Sequence, residues 1–396
     1  MIIFTALLVP IIISLVLFLF FKHKTLWWEF LLPFAAALIV GFIFKFAGEY
    51  SRTIDTEYWS GTIVKAEYYE EWDEYIEQTC SSTCCCDSKG NNCQTTYYDC
   101  SYVDYHYPYW VVSDNNGETR RVSEQEYKRL VKRFGNQKEV ELGRDYHSID
   151  GDKYITYWDN RDVTLECMVT KHSYENRVQA SSSTFNFEDV DTTEITHYGL
   201  YKYPNITGYY DQVNLLGNHP KWKEMNRKLE ILNAKLGNKK QLKTFVLIFD
   251  SKLREAGLKQ EAYWKGGNKN EFVICIGLDG NGNVAWCHPF SWTEAQITKV
   301  NIRSFVESQK KLELNSVIDY SYKELESNFI RKPFADFSYL TVEPTGWQIF
   351  WTFIITLLVN VGVVVYVIQN EFDEQTEKIN ARWRKNNWFN RLIYKK

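Results

Sequence analysis

Apolar and polar positions divide this chain into three nearly charge-free blocks and one long polar middle. Residues 2–21 (IIFTALLVPIIISLVLFLFF) carry no charged side chain, residues 26–47 carry only Glu29 and Lys45 near their ends, and residues 347–368 (WQIFWTFIITLLVNVGVVVYVI) carry none. At about 1.5 Å per residue, each block is long enough to cross roughly 30 Å of hydrocarbon as a helix. Trp27, Trp28, Trp347 and Trp351 fall where interfacial aromatic belts form. The first block lacks both a basic start and a small-residue cleavage site, so it reads as a retained helix. The pattern predicts three spans.

Basic residues set the expected orientation. The turn after the first block holds Lys22 and Lys24, and the tail after the third holds Lys378, Arg382, Arg384, Lys385, Arg391, Lys395 and Lys396. Three spans bring that turn and that tail to one side, and an excess of Lys and Arg marks the cytoplasmic side. The expectation is a protein integral to the cell (plasma or inner) membrane, N-terminus out. Residues 1–47 then hold two spans, 48–346 are extracytoplasmic, 347–368 return through the bilayer, and 369–396 form a basic cytoplasmic tail. Trp383, Trp388, Phe389 and Leu392 sit among the tail's charges. That suits either a topogenic anchor or contact with anionic headgroups.

Within the outer region the periodicity changes. Over 48–210, runs such as EYWSGTIVKAEYY, YPYWVVS, DKYITYW and VTLECMVTKH are rich in β-branched and aromatic residues and predict strands. One helix interrupts them, opened by a Ser123/Glu126 capping box and stopped at Gly135. Over 211–346, Trp222, Met225, Leu229, Leu232 and Leu236 recur at helical spacing, and TFVLIFD reads as a buried central strand. EFVICIGLDGNGNVAWCHPF reads as a hairpin, and Ser291 with Glu294 reads as the cap of the next helix. The fold class is therefore an α+β membrane protein, with a β-rich module followed by an α/β module.

The chain holds nine cysteines, and six of them lie in CSSTCCCDSKGNNCQTTYYDC: Cys80, Cys84, Cys85, Cys86, Cys93 and Cys100. On the outer side of a membrane thiols oxidise, so disulfides are the default. No C-x2-C pair occurs, which argues against a zinc site, and six cysteines allow 15 connectivities. The segment reads as the staple of a long exposed hairpin. Cys275 and Cys287 flank the DGNGN turn, either as a cross-strand disulfide or as small apolar packing residues.

Aromatic residues make up 16% of the chain and crowd the region around this hairpin. Alternate positions Tyr105, Tyr107 and Tyr109 are expected on one strand face, as a recognition surface. Glu67, Glu70, Glu71, Asp73, Glu74 and Glu77 cluster beside them, more often a solvated acidic face than one that binds a divalent cation or meets a basic partner. The net charge of −4 and the lack of a basic stripe exclude nucleic acid as a partner. No HExxH, G-x-S-x-G or Walker pattern occurs. No metal site or cofactor is expected, and no catalytic constellation emerges from spacing alone. Asn205-Ile206-Thr207 is an outward-facing glycosylation sequon.

The helix before TFVLIFD, the stretch WKGGNKNEFVICIG and the opening SWTEAQITKV together resemble a TPM domain over residues of about 215–334. That resemblance implies an extracytoplasmic α/β module tied down by a following membrane helix. It also implies one of two roles, modulation of a membrane protein complex or phosphohydrolysis. The expectation is a binding protein whose partners are the bilayer and a protein at its outer face. The enzymatic alternative places Asp250 and Asp279, at strand ends, in a polar cleft that binds a divalent metal.

Overall fold

A computed structural model describes residues 1–16, 31–84, 94–134, 137–140, 151–157, 166–181, 187–206 and 213–369. The chain separates into two compact units. One comprises 1–55, 173–186 and 334–396, and the other 56–172 with 187–333. The charged turn at 22–24, Gly135, Thr207 of the sequon and the tail at 370–396 lie outside the described residues.

The first unit is built on apolar helices. Leu31–Thr53 and Gly346–Tyr366 are each long and apolar enough to cross a membrane. The helix Ile2–Val16 is also apolar but has only 15 described residues. All three pack against one another. The first pair meet through small side chains: a Cβ on Gly41 would stand 3.1 Å from that of Ala6. Such small residues let helix backbones approach closely. Thr352, Thr356 and Asn360, four apart on the last helix, are all buried. They share one face turned into the bundle rather than outward.

In the second unit, β1 (Ile54–Tyr69) is the long central strand of a six-stranded sheet. After it come β2 (Trp72–Ile76), β3 (Thr79–Cys84), β4 (Gln94–Asp99), β5 (Tyr102–His106), β6 (Tyr109–Asp114) and β7 (Thr119–Val122). The set is completed by β8 (Gln137–Val140), β9 (Lys153–Tyr157) and β10 (Cys167–Glu175). The sheet order is β7-β6-β1-β9-β8, with β10 also on β1. Helix Glu124–Phe134 closes one face, where Tyr127 and Leu130 pack on Ile63, Ala66, Val112 and Met168. Its start is held by Ser123 Oγ, which accepts from the Glu126 N–H at 3.3 Å.

The α/β half carries β11 (Leu215–Leu216), β12 (Lys243–Phe249), β13 (Glu271–Leu278) and β14 (Val284–Ser291), hydrogen-bonded in that order. The first three are parallel and β14 is antiparallel. Every residue of β12 is buried: the apolar run Phe245–Phe249 predicts this for its own positions, and Lys243 and Thr244 are buried ahead of it. Alternate residues serve two cores. Val246 and Ile248 join the cluster under helices Trp222–Lys240, Gln296–Glu307 and Leu314–Asn328, while Phe245, Leu247 and Phe249 join the one facing Ala256 and Trp264.

The structure corrects one sequence expectation, the helix cap at Ser291, and decides between the two readings of Cys275 and Cys287 in favour of apolar packing. Ser291 does not cap a helix: β14 continues through it, and its Oγ donates to the Glu271 carbonyl at 2.5 Å. The helix begins at Gln296 with no side-chain cap. Cys275 and Cys287 are free thiols. Cys275 lies opposite His288, and Cys287 opposite Ile276. That single-residue offset sends them to opposite faces of the sheet, one into each core.

Candidate recognition surface

The described parts of the segment between β1 and β6, residues 70–84 and 94–108, pair as one antiparallel ribbon, the arm. Tyr69 faces Tyr109, Trp72 faces His106, Ile76 faces Tyr102, Thr79 faces Asp99 and Cys84 faces Gln94. The pairing steps back one residue for each residue forward, through two short breaks, so one register runs from the sheet to Cys84 and Gln94. At about 3.3 Å per residue, the described outgoing strand beyond Tyr69 reaches up to about 50 Å. Residues 85–93, with Cys85, Cys86 and Cys93, lie outside the described residues, as does the side chain of Cys84.

Cys80 is bonded to Cys100, with Cα atoms 5.7 Å apart. The bridge stands at the break between β2 and β3, where the ladder weakens. There the Cys100 N–H also donates to the Gln78 carbonyl at 2.9 Å. Nearer the sheet, Trp72 stacks on His106 at 4.7 Å and His106 Nε2 meets Glu74 Oε2 at 2.7 Å.

Register sorts the remaining side chains by face. Odd-numbered positions share one side: Glu71, Asp73, Tyr75 and Glu77 on the outgoing strand, and Tyr97, Asp99, Tyr105, Tyr107 and Tyr109 on the return. Tyr107 and Tyr97 are 78% and 72% exposed, and Tyr75 and Tyr105 about half. Tyr105 and Tyr107 meet edge to face at 4.9 Å. Tyr109 is drawn inward and stacks on Tyr69 at 4.4 Å. The phenol of Tyr105 titrates above its ordinary range, chiefly through lost hydration and then through the charges of Glu71 and Asp73. The expected strand through Tyr105, Tyr107 and Tyr109 is interrupted, because Pro108 has no N–H to give a ladder. The face survives the interruption.

The sites of the enzymatic alternative are less connected. Asp250 and Asp279 follow the carboxyl ends of the neighbouring parallel strands β12 and β13. The Asp279 carboxylate is held within its own turn. It accepts from the N–H groups of Asn281 (2.9 Å) and Asn283 (2.7 Å) and from the Asn283 amide (2.9 Å). Those bonds keep it below the usual aspartate range. No group of three or more His, Cys, Asp or Glu suited to a metal occurs among the described residues.

Buried charges were not legible in the spacing. Lys243 and Glu271 face each other at the starts of β12 and β13, and both are fully buried. Lys243 Nζ donates to Asn214 Oδ1 at 3.0 Å. Glu271 accepts from Tyr203, from the Asn268 N–H (2.9 Å) and from its amide (3.0 Å). Glu57 is likewise buried, between Arg331 at 2.6 Å and Lys269 at 3.2 Å. His288 is paired with Glu261 at 2.7 Å. Compared with protein-family models, with curated proteins and with solved structures, the chain finds no match in any of the three.

Proposed function

We propose that this chain is a three-span integral membrane protein of the cell membrane, N-terminus out, whose outer domain binds a protein partner through the arm. The observation that carries the reading is the row Tyr75, Tyr97, Tyr105 and Tyr107, exposed on a disulfide-bonded ribbon and interleaved with Glu71, Asp73, Glu77 and Asp99. Tyrosines offer large contact area at low entropic cost, and interface anchors are drawn from them. Monomeric surfaces ordinarily scatter such residues singly. The acidic neighbours favour a basic partner surface and raise its encounter rate.

Cross-linking in native membranes followed by purification of the full-length chain tests this. A partner captured by the wild-type chain and lost with Tyr97→Ser/Tyr107→Ser, at equal protein level, is the expected result. Undiminished capture by that variant would remove the arm from the reading.

A TPM-type phosphohydrolase is the second reading, favoured by the placement of Asp250 and Asp279 at one edge of adjacent parallel strands. It requires phosphate release by the purified chain that Asp250→Asn abolishes.

A further inference from the structure

At one end of the three apolar helices lies a cavity of about 400 Å³. Ile3 gives it an apolar wall, while Lys45, Glu49 and Arg52 line it from the last turns of the second helix. Arg177 and Glu343 close the polar side. Lys45 is the first charge after the apolar run of that helix, so the cavity sits where hydrocarbon gives way to headgroups.

The guanidinium groups are already oriented. Arg52 donates to the carbonyls of Glu343 and Ala180, the latter at 3.2 Å. Arg177 donates to Glu175 at 2.7 Å and to the Leu340 carbonyl at 3.1 Å. A guanidinium carries five N–H donors, so these bonds fix its plane without using all of them. The planar guanidinium fork matches two oxygens of a carboxylate or a phosphate at once, so fixed arginines suit such anions. Two carboxylates stand in the same cavity as the three cations. A fully anionic ligand would meet them unfavourably, whereas a ligand with an ammonium group beside its phosphate would satisfy both signs.

We propose that this cavity binds the headgroup of a zwitterionic aminophospholipid. The phosphate lies with Arg52, Arg177 and Lys45, the amine with Glu49 and Glu343, and an acyl chain runs along the apolar helices. A second concavity of about 630 Å³, which shares Glu49 and Arg177 and includes Phe46, extends the space beside the helix. The inference rests on the membrane-spanning reading and adds a ligand to it.

The test is native mass spectrometry of the intact chain, extracted in mild detergent and supplied with equimolar phosphatidylethanolamine and phosphatidylglycerol. One retained phosphatidylethanolamine per chain is expected. Arg52→Gln/Arg177→Gln should lower retention at least about tenfold, the equivalent of one charge-assisted hydrogen bond. Lys45→Glu, which gives up only a 5.9 Å contact of the ammonium over the Phe46 ring, should lower it too, and decides the matter if the double variant does not fold. Equal retention in wild type and Lys45→Glu, preference for phosphatidylglycerol, or a lipid-free chain each overturns the inference alone. Release of the chain from membranes by alkaline carbonate overturns the membrane reading and the inference with it.

Discussion

Lys243 and Glu271 stand opposite each other at the starts of two parallel strands, and neither side chain reaches solvent. Burial lowers the lysine to about 8, against about 10.4 for a free side chain. Glu271 pulls the other way but does not outweigh the loss of water. Between those two values the unfolded chain binds a proton that the folded chain has released. Stability contributed by this group therefore rises with pH across that window and is flat below it.

Lys243→Met should thus remove a pH-dependent rise in the urea midpoint between pH 7.5 and 9.5, measured on the full chain in detergent. The buried thiol of Cys167, pushed up to about 12, acts in the opposite direction over the alkaline range. Comparison with the variant isolates the lysine. Parallel curves for the two proteins would take Lys243 out of the account.

Glu57 is 2% exposed and is held by Arg331 and Lys269, whose side chains are 21% and 15% exposed. Removing one of the two cations leaves the buried carboxylate with a single partner, so each loss should stay below the roughly 3–5 kcal/mol of a buried charge stripped of all compensation. Arg331→Met, which takes the closer contact, should destabilise more than Lys269→Met. Equilibrium unfolding of both variants checks the order, and equal losses would mean that the two cations share Glu57 evenly.

The Cys80–Cys100 bridge closes a loop of sequence separation 20, for which chain-entropy arguments give about 3 kcal/mol. The arm lies outside the clusters that form the cores, so the effect should be local. Cys80→Ser/Cys100→Ser is expected to speed cleavage between 77 and 101 in limited proteolysis and to leave the main unfolding transition within about 0.5 kcal/mol. A large shift of that transition would show that the arm is coupled to the folded body.

How far the structure could be read in advance follows from the range of the interactions involved. The arm was legible because alternation, a cysteine on each strand and a long antiparallel register are local or nearly so. β12 was legible for the same reason: a strand covered on both faces needs an unbroken apolar run, and TFVLIF is one. Ser291 and Glu294 misled because a capping pattern is judged within four residues, whereas pairing with β13 decides that Ser291 stays extended. Cys275 and Cys287 flank their turn almost symmetrically, yet the one-residue offset in the ladder sends them to opposite faces. Lys243 and Glu271 meet only through parallel pairing of strands joined by a helix, and nothing local marks either residue as buried.

Asn360 gives the sharpest test of the apolar bundle. It is fully buried on the last apolar helix, in line with Thr352 and Thr356. Its Nδ2 donates to the Thr356 carbonyl at 2.9 Å, while its Oδ1 accepts no hydrogen bond among the described residues. An unsatisfied buried acceptor costs about 1–3 kcal/mol, and polar contacts inside helical bundles in membranes return about 0.6 kcal/mol on average. Leucine has nearly the same volume and no polar atom. Asn360→Leu should therefore raise the thermal midpoint of the detergent-solubilised chain, by the equivalent of about 1 kcal/mol. A drop of that size would mean that the amide serves a partner beyond the described residues, such as a symmetry mate across an oligomer axis.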